Sequence, residues 1–421
     1  MTMDSDITKS QRYNILAAGF LGWLLAGIQL AVASVVMRDA AKDLLGPANE
    51  ALYGQWFGWL TSSFMLGAAA GGYLLGWVGD KAGRRTAMAI TIAWYSIFAG
   101  LCYFVQSAPQ LLVMRFLVGV GVGGMWPNGI ALISEAWPNM SRPMLSGVIG
   151  TAANVGITLF SLLTWRFHVT PDHWRWVMVL SLSPLLLAVW VQLTVRESPR
   201  WLAIRATSKQ QHEQTGKRAT SPLLEIFSPP MLGITLVAIL LGTIPLFGGW
   251  GNANWANAWA SQLDPALKAK TLLARSAPGS VASLLGGALA TWMGRRFSYF
   301  LLSVLCLICS QGLFGYSAPG EPSFLWWVAA LGLFSGFFFG WLPLCLPELF
   351  PTRVRSTGAG VGFNFGRIAT AFGILVAADW LKTHYAGDYG RIGEITGWIY
   401  LLGAVVIWFS PDTTQRGLSD D

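Results

Sequence analysis

In the run GVGFNFGRIATAFGILVAA (Gly360 to Ala378) one residue alone is charged. A guanidinium held at the middle of an apolar helix costs at least ~2.5–3.5 kcal/mol on membrane-insertion scales. Keeping Arg367 there calls for an internal brace or a ligand that brings the opposite charge. Its planar fork of donors fits a carboxylate, and Asn364, one helical turn earlier, lies on the same face. Asn154 stands in a similar N-x-G setting in another apolar run. Arg115, Trp126 and Asn128 share the run RFLVGVGVGGMWPN, Gln29 lies in the first apolar run, and Trp250 and Asn252 lie in GGWGNANWANAW (Gly248 to Trp259). Amides, indoles and arginines together suit a small polyhydroxylated acid, with rings against its apolar faces, amides for hydroxyls and arginine for the carboxylate. The competing reading of Arg115 is a brace onto carbonyls of the first apolar run, and Arg367 has a similar alternative. Enzyme chemistry is not expected. There is no metal-ligand spacing, no nucleophile with a base and no phosphate loop, so neither a metal nor a cofactor is implied. Cys102, Cys306, Cys309 and Cys345 all fall in apolar runs without a disulfide pattern.

The elements that must position these residues are helices. The chain is 54% hydrophobic and 11% charged, against about 25% charged in soluble domains. A run of ~20 apolar residues spans a bilayer, where only a helix satisfies its own backbone. The sequence reads as an all-α membrane protein with twelve spans at 14–37, 54–78, 86–106, 109–132, 143–164, 174–194, 231–252, 271–293, 298–316, 323–346, 356–379 and 392–410. A polar connector at 196–230, with Arg200, Arg205, Lys209, Lys217 and Arg218, separates six-helix bundles at 1–195 and 231–421. With the N-terminus in the cytoplasm, the inside segments are the more basic. They hold Lys9, Arg12, Lys81, Arg84, Arg85, Arg142, Arg295, Arg296, Arg353, Arg355 and Arg416, whereas Lys268, Arg275 and a few others mark outer helix ends. The net charge of +8 therefore sets orientation in a lipid bilayer and does not imply nucleic acid. Both termini are expected in the cytoplasm, in an inner or plasma membrane, and a monomer is expected. Trp255 and Trp259 read as an interfacial aromatic belt, and Gly248, Gly249 and Gly251 as a bendable helix end serving as an outer gate.

The chain repeats itself. GWVGDKAGRR begins at Gly76 and GALATWMGRR at Gly287, an offset of 211; EAWPNMSRPMLSG (from Glu135) matches ELFPTRVRSTG (from Glu348) at 213 to 211. Each half is a copy of one unit in the same orientation, a known transporter plan with the site between the halves. The repeated turns supply candidate gating residues: Asp80, Arg84, Arg85, Glu135, Arg142, Glu348 and Arg355. They are expected either to fix topology or to latch the cytoplasmic side shut. Thr291 replaces the acid in the second copy, so that half is expected to lack the ion pair.

GxxxDKxGRR, RFLVGVGVGG, ESPRWL (Glu197 to Leu202) and PELFPTRVRSTGAG (Pro347 to Gly360) together resemble the major facilitator superfamily across nearly all the spans. LGWLLAGIQLAVASVVM (from Leu21), LISEAWP and GFNFGRI are most similar to the bacterial sialic-acid and organic-acid permeases, while ESPRWL also occurs among sugar porters. The resemblance implies alternating access about a central site. Those permeases carry two aspartates in the first span; here Ala26 and Gln29 stand in their place. Glu135, Glu348, Asp379 and Asp80 all read as lying at helix ends or turns, and His168, His173, His212 and His384 lie in loops or at helix ends. No deep group that titrates near neutrality is evident, so proton coupling is doubtful. The expected function is a secondary transporter for a small organic anion, a sugar acid or a monocarboxylate. The alternatives are a neutral-sugar facilitator and a non-transporting sensor with a carrier fold.

Overall fold

The computed structural model describes residues 8–137, 141–198, 201–202, 222–351 and 354–414, without the side chains of residues 142, 222 and 356. Most of the 196–230 connector, with Arg200, Arg205, Lys209, Lys217 and Arg218, lies outside the described residues, as do Arg353 and Arg416. Among the described residues ten helices are long and apolar enough to cross a membrane: α1 (Lys9–Val35), α3 (Arg84–Phe104), α4 (Ala108–Ala136), α5 (Arg142–Arg166), α6 (Arg175–Thr194), α7 (Pro229–Leu263), α9 (Arg295–Gly315), α10 (Pro322–Glu348), α11 (Arg355–Thr383) and α12 (Tyr389–Phe409). Two more, α2 (Tyr53–Ala82) and α8 (Pro265–Met293), match them in length. Glycine and serine dilute their apolar content, which suits helices surrounded by other helices. α2 packs against α4 and α11, and α8 against α5 and α10.

Each expected span coincides with one of these helices, closely except at α7 and α8. α7 runs on to Leu263 through a π turn at Gly248–Asn252. Pro245 inside it has no N–H, and the carbonyl of Leu241 that this leaves free accepts from the Tyr299 hydroxyl at 2.9 Å. α8 starts at Pro265 rather than near 271. Asp264 caps it, accepting from the Ala266 N–H at 2.9 Å, and proline occupies the first helical position.

The tight turns of the internal repeat are conformationally equivalent. Gly83 (φ 103°) leads into α3 and Gly294 (φ 86°) into α9, both in a region that favours glycine. These turns share one face with the first and last described residues: the Trp137 indole at the foot of α4 donates to the Arg12 carbonyl (3.1 Å), and Thr413 donates to Glu348 (2.8 Å). We call this the termini face. Between the first half of the chain (through α6) and the second (from α7), the main contacts are α2 with α11 and α5 with α8 and α10. On the termini side, α5 and α8 meet almost backbone to backbone. A Cβ on Gly147 would sit 2.2 Å from the Leu284 carbonyl oxygen, and one on Gly287 2.7 Å from that of Pro143.

Candidate functional site

α1, α2, α4 and α5 of the first half and α7, α8, α10 and α11 of the second converge on one cavity. Its walls are aromatic: Trp23, Trp126, Trp250, Phe339 and Phe363. Trp23 meets Trp126 at 4.9 Å between ring centroids, and Trp126 stacks across the two halves on Phe363 at 5.5 Å and 18°. The space open to water centres is about 80 Å³, or roughly five to eight waters at ~10–15 Å³ each. That is the scale of a small metabolite. Among the described residues no Asp, Glu or His lines it; its charged residues are Arg275 and Arg367.

The two arginines are held alike. Arg367 on α11 donates Nη1 to the Ala68 carbonyl of α2 and to Asn364 Oδ1, both at 3.2 Å, and lies over the Phe363 ring at 4.7 Å. Arg275 on α8 donates Nη1 to the Gly249 carbonyl, within the π turn of α7, and to Asn254 Oδ1, both at 3.1 Å. Among the described residues no carboxylate pairs with either. Each guanidinium is thus positioned through one terminal nitrogen, and its remaining donors are available to an anion.

Of the other expected binding residues, Asn154, Trp126 and Trp250 line the cavity. Asn154 Nδ2 also donates to Ser283 Oγ at 2.6 Å, tying α5 to α8. Asn364 reaches the site through Arg367. Asn364 itself and four further residues lie outside the lining. Arg115 is fully buried, donates to the Gln29 carbonyl at 3.4 Å and lies over the Phe64 ring at 4.6 Å. It is a brace of α4 on α1, and the Gln29 side chain is buried beside it without a hydrogen bond. Asn128 donates to the Leu75 and Gly124 carbonyls, each at 2.9 Å, fastening α4 to α2. Asn252 donates to the Gly393 carbonyl (2.7 Å) and accepts from Ser310 (3.0 Å), so it joins α7 to α12 and α9. The sequence reading missed Arg275, which it put at an outer helix end. The pair Asp264-Pro265, a cap followed by proline, was the signal that the helix starts earlier.

On the face opposite the termini the two halves are bonded to each other. Lys268 Nζ of α8 meets Asp39 Oδ2 at 2.5 Å, with side chains only 3% and 7% exposed. Asp39 belongs to a short helix, Met37–Leu45, that follows α1. Arg38 beside it donates to the Tyr389 hydroxyl (3.3 Å) and to Ser261 (3.0 Å). Ser34 donates to Asn254 Oδ1 at 2.8 Å, the same oxygen that holds Arg275. Burial, and then the neighbouring Arg38, lowers the pKa of the Lys42 ammonium in this cationic cluster. Trp255 is 1% exposed and packs edge-on against Phe57 at 5.8 Å, so it closes this face rather than joining an interfacial belt. Trp259 is likewise turned inward, stacked on Phe314 at 6.2 Å.

On the termini face the bonds of the repeated turns stay within each half. Arg84 pairs with Asp80 at 2.6 Å within its own turn and approaches Glu135 at 3.9 Å. Glu135 accepts from Ser198, and Glu197 accepts from the Arg85 N–H at 3.1 Å. All of these groups belong to the first half and the start of the connector. In the second half Arg295, the equivalent of Arg84, makes two bonds to Glu348, the equivalent of Glu135, at 3.1 and 3.2 Å, and at the position of Asp80 the neutral Thr291 Oγ1 accepts from Arg295 at 3.2 Å, so the Asp80-type ion pair is absent there. Arg355 donates to the Phe350 carbonyl at 3.3 Å; the Arg142 side chain lies outside the described residues. Among the described residues no ion pair joins the two halves on this face.

Helices from two repeated halves around one cavity, bonded across on one face, define a multi-pass membrane carrier. The family model for the Major Facilitator Superfamily matches residues 15–374, and the chain belongs to that superfamily; it is a transporter, not an enzyme. A putative metabolite transport protein of Haemophilus influenzae is 28% identical over 375 residues, covering 88% of this chain and 89% of that protein. A cis,cis-muconate transport protein of Acinetobacter baylyi is 28% identical over 358 residues, 84% of this chain and 83% of that protein. The crystal structure of a D-xylose-proton symporter shares the fold, with a TM-score of 0.73 at 20% identity over 96% of this chain and 99% of that one. The relatives include both organic-acid and sugar permeases, without singling out one branch.

Proposed function

We propose that this transporter carries a small organic anion across the inner membrane by alternating access. Twelve helices, in two six-helix bundles at 1–195 and 231–421, rock about the cavity as a monomer. The termini face is cytoplasmic, as the distribution of basic residues favours. The observation that carries the reading is a cavity holding two arginines and no carboxylate. Without a counter-charge two guanidinia are costly there, and an anionic substrate supplies it. Arg275 and Arg367 grip carboxylate, Asn154 and the cavity serines meet its polar groups, and the indoles cover its apolar part. The relatives named for organic acids point the same way. The bonded face opposite the termini makes the described state closed to the outside.

The test is uptake by the purified protein in proteoliposomes, with sugar acids and small carboxylates against neutral sugars. Saturable uptake of an acid, lost in Arg275→Gln and Arg367→Gln, supports the reading. Uptake of a neutral sugar that both variants retain makes the sugar facilitator the answer. Ligand binding without uptake makes the protein a sensor.

A further inference from the structure

We infer that the substrate carries two anionic groups, one for each cavity arginine, separated by an apolar spacer. The inference rests on the anion reading above and narrows it. Arg275 and Arg367 do not share a position: each is anchored by its own pair of acceptors, Gly249 and Asn254 for one, Ala68 and Asn364 for the other. These anchors belong to different helices and hold the guanidinia apart as two stations. Their depths differ as well. Arg275 is ten residues from the start of α8 and Arg367 sixteen from the end of α11, both ends on the face opposite the termini. Their backbone positions therefore differ by six residues of rise along the helices, roughly 9 Å at 1.5 Å per residue.

Charge balance points in the same direction. The lining carries two permanent cations and no acid, so a monoanion leaves one guanidinium uncompensated in a low-dielectric site. Elsewhere the buried cations of this protein are treated differently. Lys268 has Asp39, and Arg295 has Glu348. Among the described residues Arg38 and Arg115 are also buried without an ion pair, but neither lines the cavity: Arg38 is bonded to Tyr389 and Ser261, and Arg115 lies against Phe64 and the Gln29 carbonyl. Between those depths Met65, Val122 and Trp250, twelve to fourteen residues from the same face, supply apolar surface, whereas Trp126 and Phe363, eighteen and twenty residues from it, lie beyond Arg367. Ser276, 3% exposed, lines the cavity with its hydroxyl unpartnered, next to Arg275 in sequence. It can donate to a carboxylate held there.

The experiment measures binding of glutarate, adipate and suberate, and of the monomethyl ester of each, to the purified protein by calorimetry and thermal shift. Each diacid keeps the carboxylate of its ester and adds a second. A charge-assisted contact predicts that at least one diacid binds ~10–100-fold tighter than its ester. Arg275→Gln and Arg367→Gln should each bring that ratio close to one, because either variant leaves a single station. Equal affinity for diacid and ester in the parent protein overturns this inference and leaves the anion reading intact. A ratio that survives both substitutions also overturns it. If no acid of either kind binds while a neutral sugar does, the anion reading itself fails. The comparison in the unsubstituted protein decides even where a variant does not fold.

Discussion

Asp39→Asn strands Lys268 in a buried place. The ammonium loses the counter-charge it meets at 2.5 Å and keeps only neutral acceptors, the Val169 carbonyl at 3.5 Å and the amide oxygen of the substituted side chain. Breaking one side of a buried ion pair costs ~3–5 kcal/mol, because the charge left behind is neither paired nor hydrated. That cost falls on the state in which the face opposite the termini is closed, since opening the face lets water reach the amine. The balance between closed and open should therefore move by a factor of at least ~100. Lys268→Met should move it less, because Asp39 retains Arg38 and Lys42 close by on its own short helix. The combined variant should return most of the way, as replacing both charges by neutral groups of similar size is near neutral. The assay is the rate at which a membrane-impermeant thiol reagent, added from the face opposite the termini, labels Ser276→Cys in the cavity. The four native cysteines are buried and give a low background. Labelling that stays at the parental rate in Asp39→Asn, with the protein folded, refutes the argument and leaves the pair a static brace.

Arg367→Ala should lower affinity for the transported acid ~10–100-fold while the protein still reaches the membrane, and Arg367→Lys, which keeps charge but loses the fork, should fall between; ligand-induced thermal shift measures both. Asp80→Asn should change turnover less than about twofold, since its i,i+4 pair with Arg84 is solvent-exposed and worth ~0.3–0.5 kcal/mol. Glu348→Gln, which breaks two half-buried bonds to Arg295, should lower apparent thermal stability where Asp80→Asn does not. Gly147→Val should abolish transport without loss of expression, because its side chain would meet the Leu284 carbonyl where α5 and α8 touch; uptake at parental rate would show that those helices have room to spare. With no carboxylate or histidine in the cavity lining, an imposed pH difference alone should not drive accumulation in proteoliposomes.

The helices were legible because bilayer physics leaves a long apolar run one choice of structure, and the repeat at 211 residues marked the equivalent turns at Gly83 and Gly294. Arg367, Asn154, Trp126 and Trp250 were legible as cavity residues because a polar or aromatic group in mid-span has few other uses. Arg275 was not. Three cations between residues 268 and 275 looked like the edge of the membrane, and nothing in local hydropathy shows that α8 is shielded by α5 and α10. Asp39 was missed for a related reason: an acid just past an apolar run reads as solvated, and its partner lies 229 residues away. The roles of Asn128 and Asn252 depend on which carbonyls neighbouring helices present, which single-residue patterns do not encode. Arg115 was readable only as far as its two alternatives; its bond runs to the Gln29 carbonyl, outside the cavity lining.

The unbalanced charge of the cavity also ties this carrier to membrane voltage. A fixed positive site that exchanges water access from one face to the other moves, electrically, through part of the transmembrane field. Each elementary charge carried through the full field is worth ~2.3 kcal/mol per 100 mV. In the proposed cycle the empty carrier crosses with both cations bare, the loaded one with its cations masked by an anionic cargo. An interior-negative potential therefore acts on the empty carrier and not on the loaded one: it favours the inward-facing empty state and opposes the empty site's return to the outside. Polarisation sets how fast the cycle resets and leaves the translocation of cargo nearly untouched.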